Sequence, residues 1–101
     1  MSDTPRLPEE EIQEGLRSLP GWRHDGDTLV RVYRFRDFSE AFGFMARAAL
    51  AAEKRDHHPD WSNSWATVTV RLTTHDAGGV TELDLDLARD FEHLASSSPE
   101  A

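Results

Sequence analysis

Between Phe38 and Leu72 the hydrophobic repeat of this chain changes period, and that change restricts the architecture more than any other feature. From Phe38, the residues Ala41, Phe42, Met45, Ala49 and Ala52 recur at i+3, i+4, i+7, i+11 and i+14, a stripe along one side of an α-helix. Asp37 stands where an N-cap belongs and Glu40 at the third helical position, so a helix is predicted from Phe38 to about Lys54. From Trp65 to Thr73 the pattern alternates, with Ala66, Val68, Val70 and Leu72 on one side and Thr67, Thr69 and Arg71 on the other. A period of two predicts a strand with one buried face. A chain that must bury a helical stripe and a one-faced strand together belongs to the α+β class.

The remaining sequence supplies partners for both. Pro8, three following glutamates and the spacing of Ile12, Leu16 and Leu19 predict a short helix over 8–18, stopped by Pro20 and Gly21. Trp22 to Phe35 predicts a hairpin turning at Asp25, Gly26 and Asp27, with Leu29, Tyr33 and Phe35 on one face of its second strand. Residues 76–79 predict a turn. Thr81 then caps a last helix with a buried stripe of Leu83, Leu87, Phe91 and Leu94, and Val80 and Leu85 occupy the positions of a hydrophobic staple. The order helix, hairpin, helix, strand, helix predicts helices on one face of an antiparallel sheet. With 101 residues, one domain covering 1–101 is expected, residues 1–6 and 96–101 being flexible polar ends.

Composition removes several functions. The chain has no cysteine, so thiolate metal sites and cysteine nucleophiles are excluded. Its formal charge of −8 repels phosphate backbones and anionic lipid, so neither nucleic acid nor membrane is an expected partner. No run approaches the roughly 20 apolar residues of a membrane span. Residues 1–6 lack an apolar leader, and the expected location is cytoplasmic.

Chemistry concentrates in the histidines. His57, His58 and His75 lie within 19 residues, Glu53 precedes them and Asp84 follows. Imidazole, with an unperturbed pKa of about 6.5, gives and takes protons near neutrality. No packing rule asks for two adjacent imidazoles before Pro59 and a third beyond one strand, whereas His24 and His93, near a turn and a helix end, read as structural. Metal ligation is the rival for the trio. Against it, successive side chains of extended backbone point to opposite sides, and no HExxH spacing occurs, so no metal is expected. Glu53 also reads as a solvated residue in the last helical turn, Asp84 as a capping-box acid, and Trp65 as packing unless a flat heteroaromatic ligand lies against it.

Three segments, 33–45, 52–63 and 72–88, resemble the pterin-4a-carbinolamine dehydratase family. The resemblance covers Leu7 to Leu94 and includes, without a gap, the family's functional spacing of Glu53, His57, His58, Pro59, Trp65, His75 and Asp84. It implies a four-stranded antiparallel sheet with three helices on one face, the extra strand lying near Trp61. It also implies a homodimer or homotetramer, a small pterin as substrate, and no cofactor, since no electrons leave the substrate. The reaction implied is loss of water from 4a-hydroxytetrahydropterin to give quinonoid dihydropterin, in tetrahydrobiopterin recycling.

Carried over residue by residue, His57 and His75 become the acid/base pair and His58 a catalytic-site residue serving chiefly substrate binding. Glu53, Pro59, Trp65, Thr74, Asp76, Ala77 and Asp84 become substrate-binding residues, Asp84 by fixing an imidazole tautomer. Leu83 stands where some family members carry a basic residue, which bears on substrate preference. Animal relatives also serve as dimerisation cofactors of a homeodomain transcription factor. A non-catalytic protein-binding module is therefore the alternative.

Overall fold

A computed structural model describes residues 4–96, in the order α1 (Glu9–Leu16), β1 (Arg23–Asp25), β2 (Thr28–Arg34), α2 (Phe38–Arg55), β3 (Asp60–Ser64), β4 (Thr67–Leu72), a 3-10 turn (His75–Ala77) and α3 (Glu82–Ser96). All strand pairs are antiparallel and the spatial order is β1-β2-β4-β3. This is the α+β fold expected. The strand implied near Trp61 is β3, an edge strand of mostly small polar residues whose sequence has no apolar alternation, although its burial alternates, with Trp61 and Asn63 half-buried.

Register fixes which face is buried. Leu29 pairs with Leu72, Tyr33 with Val68, and Trp61 with Val70, so these side chains share one face of the sheet. Leu29, Tyr33, Val68, Val70 and Leu72 are fully buried there beneath α2 and α3. Gly26, at φ +64°, takes the left-handed step in the two-residue loop joining β1 to β2.

On α2 the sheet-facing stripe differs from the one expected. Ala41, Phe44, Ala48 and Ala52 are buried, whereas Phe38 and Phe42 are 49% and 59% exposed and Ala49 is exposed. Two apolar stripes overlap on this helix, and Phe44 decides between them. Its ring packs 4.8 Å from Tyr33, 5.2 Å from Phe35 and 6.0 Å from Phe91, geometry that only a core-facing aromatic reaches. The Asp37 carboxylate accepts the Glu40 N–H at 2.9 Å and starts the helix. Asp56, left-handed at φ 52°, ends it.

Two further expectations are corrected. Trp65 does not open β4: with Ala66 it forms the two-residue β3–β4 loop, at φ +50° and 69% exposed. Leu83 is outside the core of α3, whose buried side chains include Asp84, Leu85, Leu87, Ala88 and Phe91, and Leu94 is only partly buried. The staple pair Val80 and Leu85 is buried as its spacing requires. At the N-terminal end, Arg6 donates to the Gly78 carbonyl at 3.4 Å and the Leu7 N–H to Val80 at 2.9 Å, tying that segment to the loop before α3. Ser96 is the last residue of α3; the rest of the expected flexible ends, 1–3 and 97–101, lies outside the described residues.

Candidate active site

The left-handed turn at Asp56 sends the chain back across the end of α2, and the His57 N–H closes onto the Ala52 carbonyl at 3.1 Å. That reversal aims the half-buried His57 ring at α3, where its Nε2 meets Oδ1 of Asp84 at 2.5 Å. Asp84 is completely buried. Its Oδ2 accepts the Thr81 N–H at 2.9 Å and the Thr74 hydroxyl at 2.8 Å. The first is the reciprocal bond of a capping box, whose other half is a short turn between the Thr81 hydroxyl and the Leu83 N–H at 3.2 Å. Capping α3 and gripping His57 are thus two uses of one carboxylate.

An ionised carboxylate has no proton to give, and this orients the whole network. The Thr74 hydroxyl spends its one proton on Asp84, so in the 2.7 Å contact between the threonines Thr81 donates to Thr74. His57 must likewise donate from Nε2. Its Nδ1 is left with the lone pair, which makes the neutral ring a proton acceptor at that atom.

His57 lines a cleft of about 410 Å³ with His58, Thr74, His75 and Asp76, and with Arg55, Asp56, Thr73 and Leu83. Its two sides are the loop after α2 and the segment after β4, which leave the helix and the sheet at the same end of the molecule. His58 is half exposed, and its Nε2 lies 2.8 Å from Oε1 of the solvent-facing Glu53. His75 is 82% exposed, with only a 4.0 Å contact to Asp60. One imidazole is therefore held rigidly, one loosely, and one is free to follow a ligand. Arg55 pairs with Asp90; that hydrogen bond, with the Asp90 and Asp86 charges, holds its guanidinium above its ordinary range.

Of the residues singled out from sequence, the cleft wall contains His57, His58, Thr74, His75 and Asp76. Asp84 lies beneath it through His57, and Glu53 beside it through His58. Pro59 and Ala77 follow the two histidine segments without lining the cavity, and Trp65 sits at the far end of β4. Arg55, Asp56, Thr73 and Leu83 were not singled out as ligand-facing; only Leu83 had a sequence signal, its position just before Asp84. Among the described residues no three histidine, aspartate or glutamate side chains are arranged so that they could hold one metal ion.

Comparison with known proteins places the chain in a family. The family model described as pterin 4 alpha carbinolamine dehydratase matches residues 5–94. A protein of Rhodopseudomonas palustris (strain BisB18), provisionally named pterin-4-alpha-carbinolamine dehydratase, is 55% identical over 90% of this chain and 92% of its own. The crystal structure of a transcriptional coactivator/pterin dehydratase from Brucella melitensis superposes with a TM-score of 0.87 at 51% identity, covering 89% of this chain and 98% of that one. A pterin dehydratase-like RuBisCO assembly factor of the alpha-carboxysome shares the fold alone, with a TM-score of 0.68 at 22% identity over 79% of this chain and 95% of that one. A family match over residues 5–94 and a relative 55% identical over 90% of the chain lead to one assignment: the chain belongs to the pterin-4a-carbinolamine dehydratase family.

Proposed function

We propose that this protein removes water from a 4a-hydroxytetrahydropterin to give quinonoid dihydropterin, by histidine acid/base catalysis and without a cofactor, as a step in tetrahydrobiopterin recycling. The observation that carries the reading is the meeting of His57, His58 and His75 in one cleft, with His57 fixed by the buried Asp84. In the reaction the C4a–O bond breaks and a ring nitrogen loses its proton. Hydroxide is a poor leaving group, so an acid must protonate the departing oxygen while a base takes the ring proton. His57, with its lone pair on Nδ1, takes the ring proton, and His75, exposed and adaptable, delivers one to the oxygen. His58, steadied by Glu53, holds the flat ring, and the loop carrying Thr74, Asp76 and Ala77 offers polar groups to its amide-and-amine edge.

The test is the decay of freshly made carbinolamine, followed spectroscopically with purified protein and no added cofactor. Positioned acid/base groups contribute about 10²–10⁴-fold. His57→Ala and His75→Ala are each expected to cut turnover at least tenfold while circular dichroism stays unchanged. A double variant with full activity would remove the proposal.

A second reading, a protein-binding module, is favoured by one observation: Phe38, Phe42 and Leu50, at 49%, 59% and 73% exposure, make an apolar outer face on α2. The related protein from Brucella is described as a transcriptional coactivator as well as a pterin dehydratase. Self-association as a homodimer or homotetramer would cover this face in either reading. A binding module needs no histidine in the cleft, so the two readings part in the decay assay. The cytoplasm, where a soluble pterin would be met, belongs to the same proposal; no helix among the described residues is long and apolar enough to cross a membrane.

A further inference from the structure

His75 stands on a short loop that is fastened from two sides, and one of the fastenings comes from a part of the chain to which the acid/base chemistry assigns no role. The loop is closed by a backbone bridge: the Thr74 N–H donates to the Gly79 carbonyl at 2.9 Å, and the Gly79 N–H returns to Thr74 at 3.3 Å. On its inner side the Thr74 hydroxyl is bonded to Asp84, and the neighbouring Thr73 hydroxyl donates to the Asp27 carbonyl at 2.7 Å. The outer side is held by residues 6–7, ahead of α1. There the Leu7 N–H donates to the Val80 carbonyl at 2.9 Å, and the Leu7 side chain packs against the core. Arg6 makes two contacts of its own. Its guanidinium donates to the Gly78 carbonyl at 3.4 Å, and its stem rests on Gly79, where a Cβ would stand 3.0 Å from the arginine Cδ.

We propose that Arg6 is a positioning residue: it holds the His75 loop from outside the cleft and so keeps that imidazole within reach of the departing oxygen. The inference rests on the dehydratase reading, in which His75 delivers the proton. His57 is fixed through its own side chain, by Asp84. His75 has no comparable grip, being 82% exposed with a 4.0 Å contact to Asp60, so its place is set by its backbone. That backbone is one 3-10 turn, His75–Ala77, which leaves through Gly78 at φ +75°. A left-handed glycine offers little resistance to rotation, so the exit of the turn needs support from elsewhere. Arg6 supplies it twice, with a donor on the Gly78 carbonyl and an alkyl stem against Gly79. Misplacing a reacting group by about 1 Å can cost on the order of 10²-fold in rate. One exposed hydrogen bond with its stem contact holds less firmly than that, and a smaller effect is expected.

The experiment follows loop order and turnover separately, in the full chain and in its Arg6→Ala and Arg6→Lys variants. Arg6 is exposed, so its removal leaves the core intact. In Arg6→Ala the amide order parameters of residues 75–77 are expected to fall from the rigid value of about 0.85 to below about 0.7. Carbinolamine turnover is expected to drop about fivefold in kcat with KM within about twofold, the mark of a group misplaced and not of a substrate held less well. Arg6→Lys keeps a stem and a donor and is expected to recover at least about half of the lost kcat. Added to His75→Ala, the Arg6→Ala change is expected to cost nothing further, because the residue it acts through is gone. Unchanged order parameters in Arg6→Ala overturn the proposal, as does a fivefold loss that persists in the His75→Ala background. Both leave the dehydratase reading standing. Absence of turnover in the unmodified protein overturns that reading and, with it, the role in proton delivery; the order parameters still decide whether Arg6 holds the loop.

Discussion

Replacing Asp84 by asparagine separates what that residue does for the fold from what it does for His57. The buried carboxylate receives three donors: the Thr81 N–H at 2.9 Å, the Thr74 hydroxyl at 2.8 Å and His57 Nε2 at 2.5 Å. The backbone N–H of Thr81 cannot change its role, so in Asp84→Asn the amide oxygen must remain on that side and the amide NH₂ must face His57. The imidazole can meet that NH₂ only by accepting on Nε2, which moves its own proton to Nδ1. The variant thus keeps shape and cap but reverses the tautomer, so that the atom proposed to take the substrate proton already carries one. Stability should fall only by the difference between charge-assisted and neutral hydrogen bonds, about 1–2 kcal/mol. In a domain of this size that is a melting point lower by roughly 5–10 °C. Turnover should fall much further, on the order of 10²-fold or more. The assays are thermal unfolding, carbinolamine decay, and imidazole nitrogen shifts, which report the protonated ring atom. A folded Asp84→Asn protein within twofold of normal turnover, or one whose His57 still carries its proton on Nε2, would refute the tautomer argument.

Other expectations follow from the same structure. Tyr33 is the chain's one tyrosine, and its phenol is pushed far above the usual range by burial, with the Glu92 hydrogen bond and charge acting in the same direction. Its folded pKa lies above the unfolded value of 10.0, so its contribution to stability is complete below that pH and lost as pH rises beyond it. Phenolate absorbance should therefore appear only together with loss of helical circular dichroism; titration near pH 10 in a folded chain would contradict this. Trp65 holds φ +50° in a loop position that glycine prefers, so Trp65→Gly should stabilise the monomer by up to about 1 kcal/mol in denaturant unfolding. A loss of stability instead would mean that the exposed indole packs against a second molecule.

Some of this architecture was legible because single residues announce it. Asp37 fixes the start of α2, Gly26 the first hairpin, and the alternation from Ala66 to Leu72 the inner face of β4. The facing of α2 was not legible: apolar residues cover more than half its circumference, and only the ring packing of Phe44 on Tyr33 and Phe35 selects a stripe. Nor was β3, which is held by its pairing with β4 and not by its own propensity. At the site, histidine spacing pointed to proton transfer and the capping motif pointed to Asp84 as structural. That both descriptions converge on one 2.5 Å contact across 27 residues is a tertiary fact. Leu83 and Trp65 escaped for a related reason, since a helical or strand period says which residues share a side, not which side meets a cleft or ends in a turn.

Titrating an isotopically labelled protein with 6-methyl-7,8-dihydropterin, while following every imidazole by heteronuclear NMR, tests the convergence of the three histidines most directly. The account predicts that His57, His58 and His75 shift together along one binding curve, while His24, bonded to Glu9 away from the cleft, stays in place. Three histidines that remain unmoved at saturating ligand, or that move with unrelated dissociation constants, would contradict it.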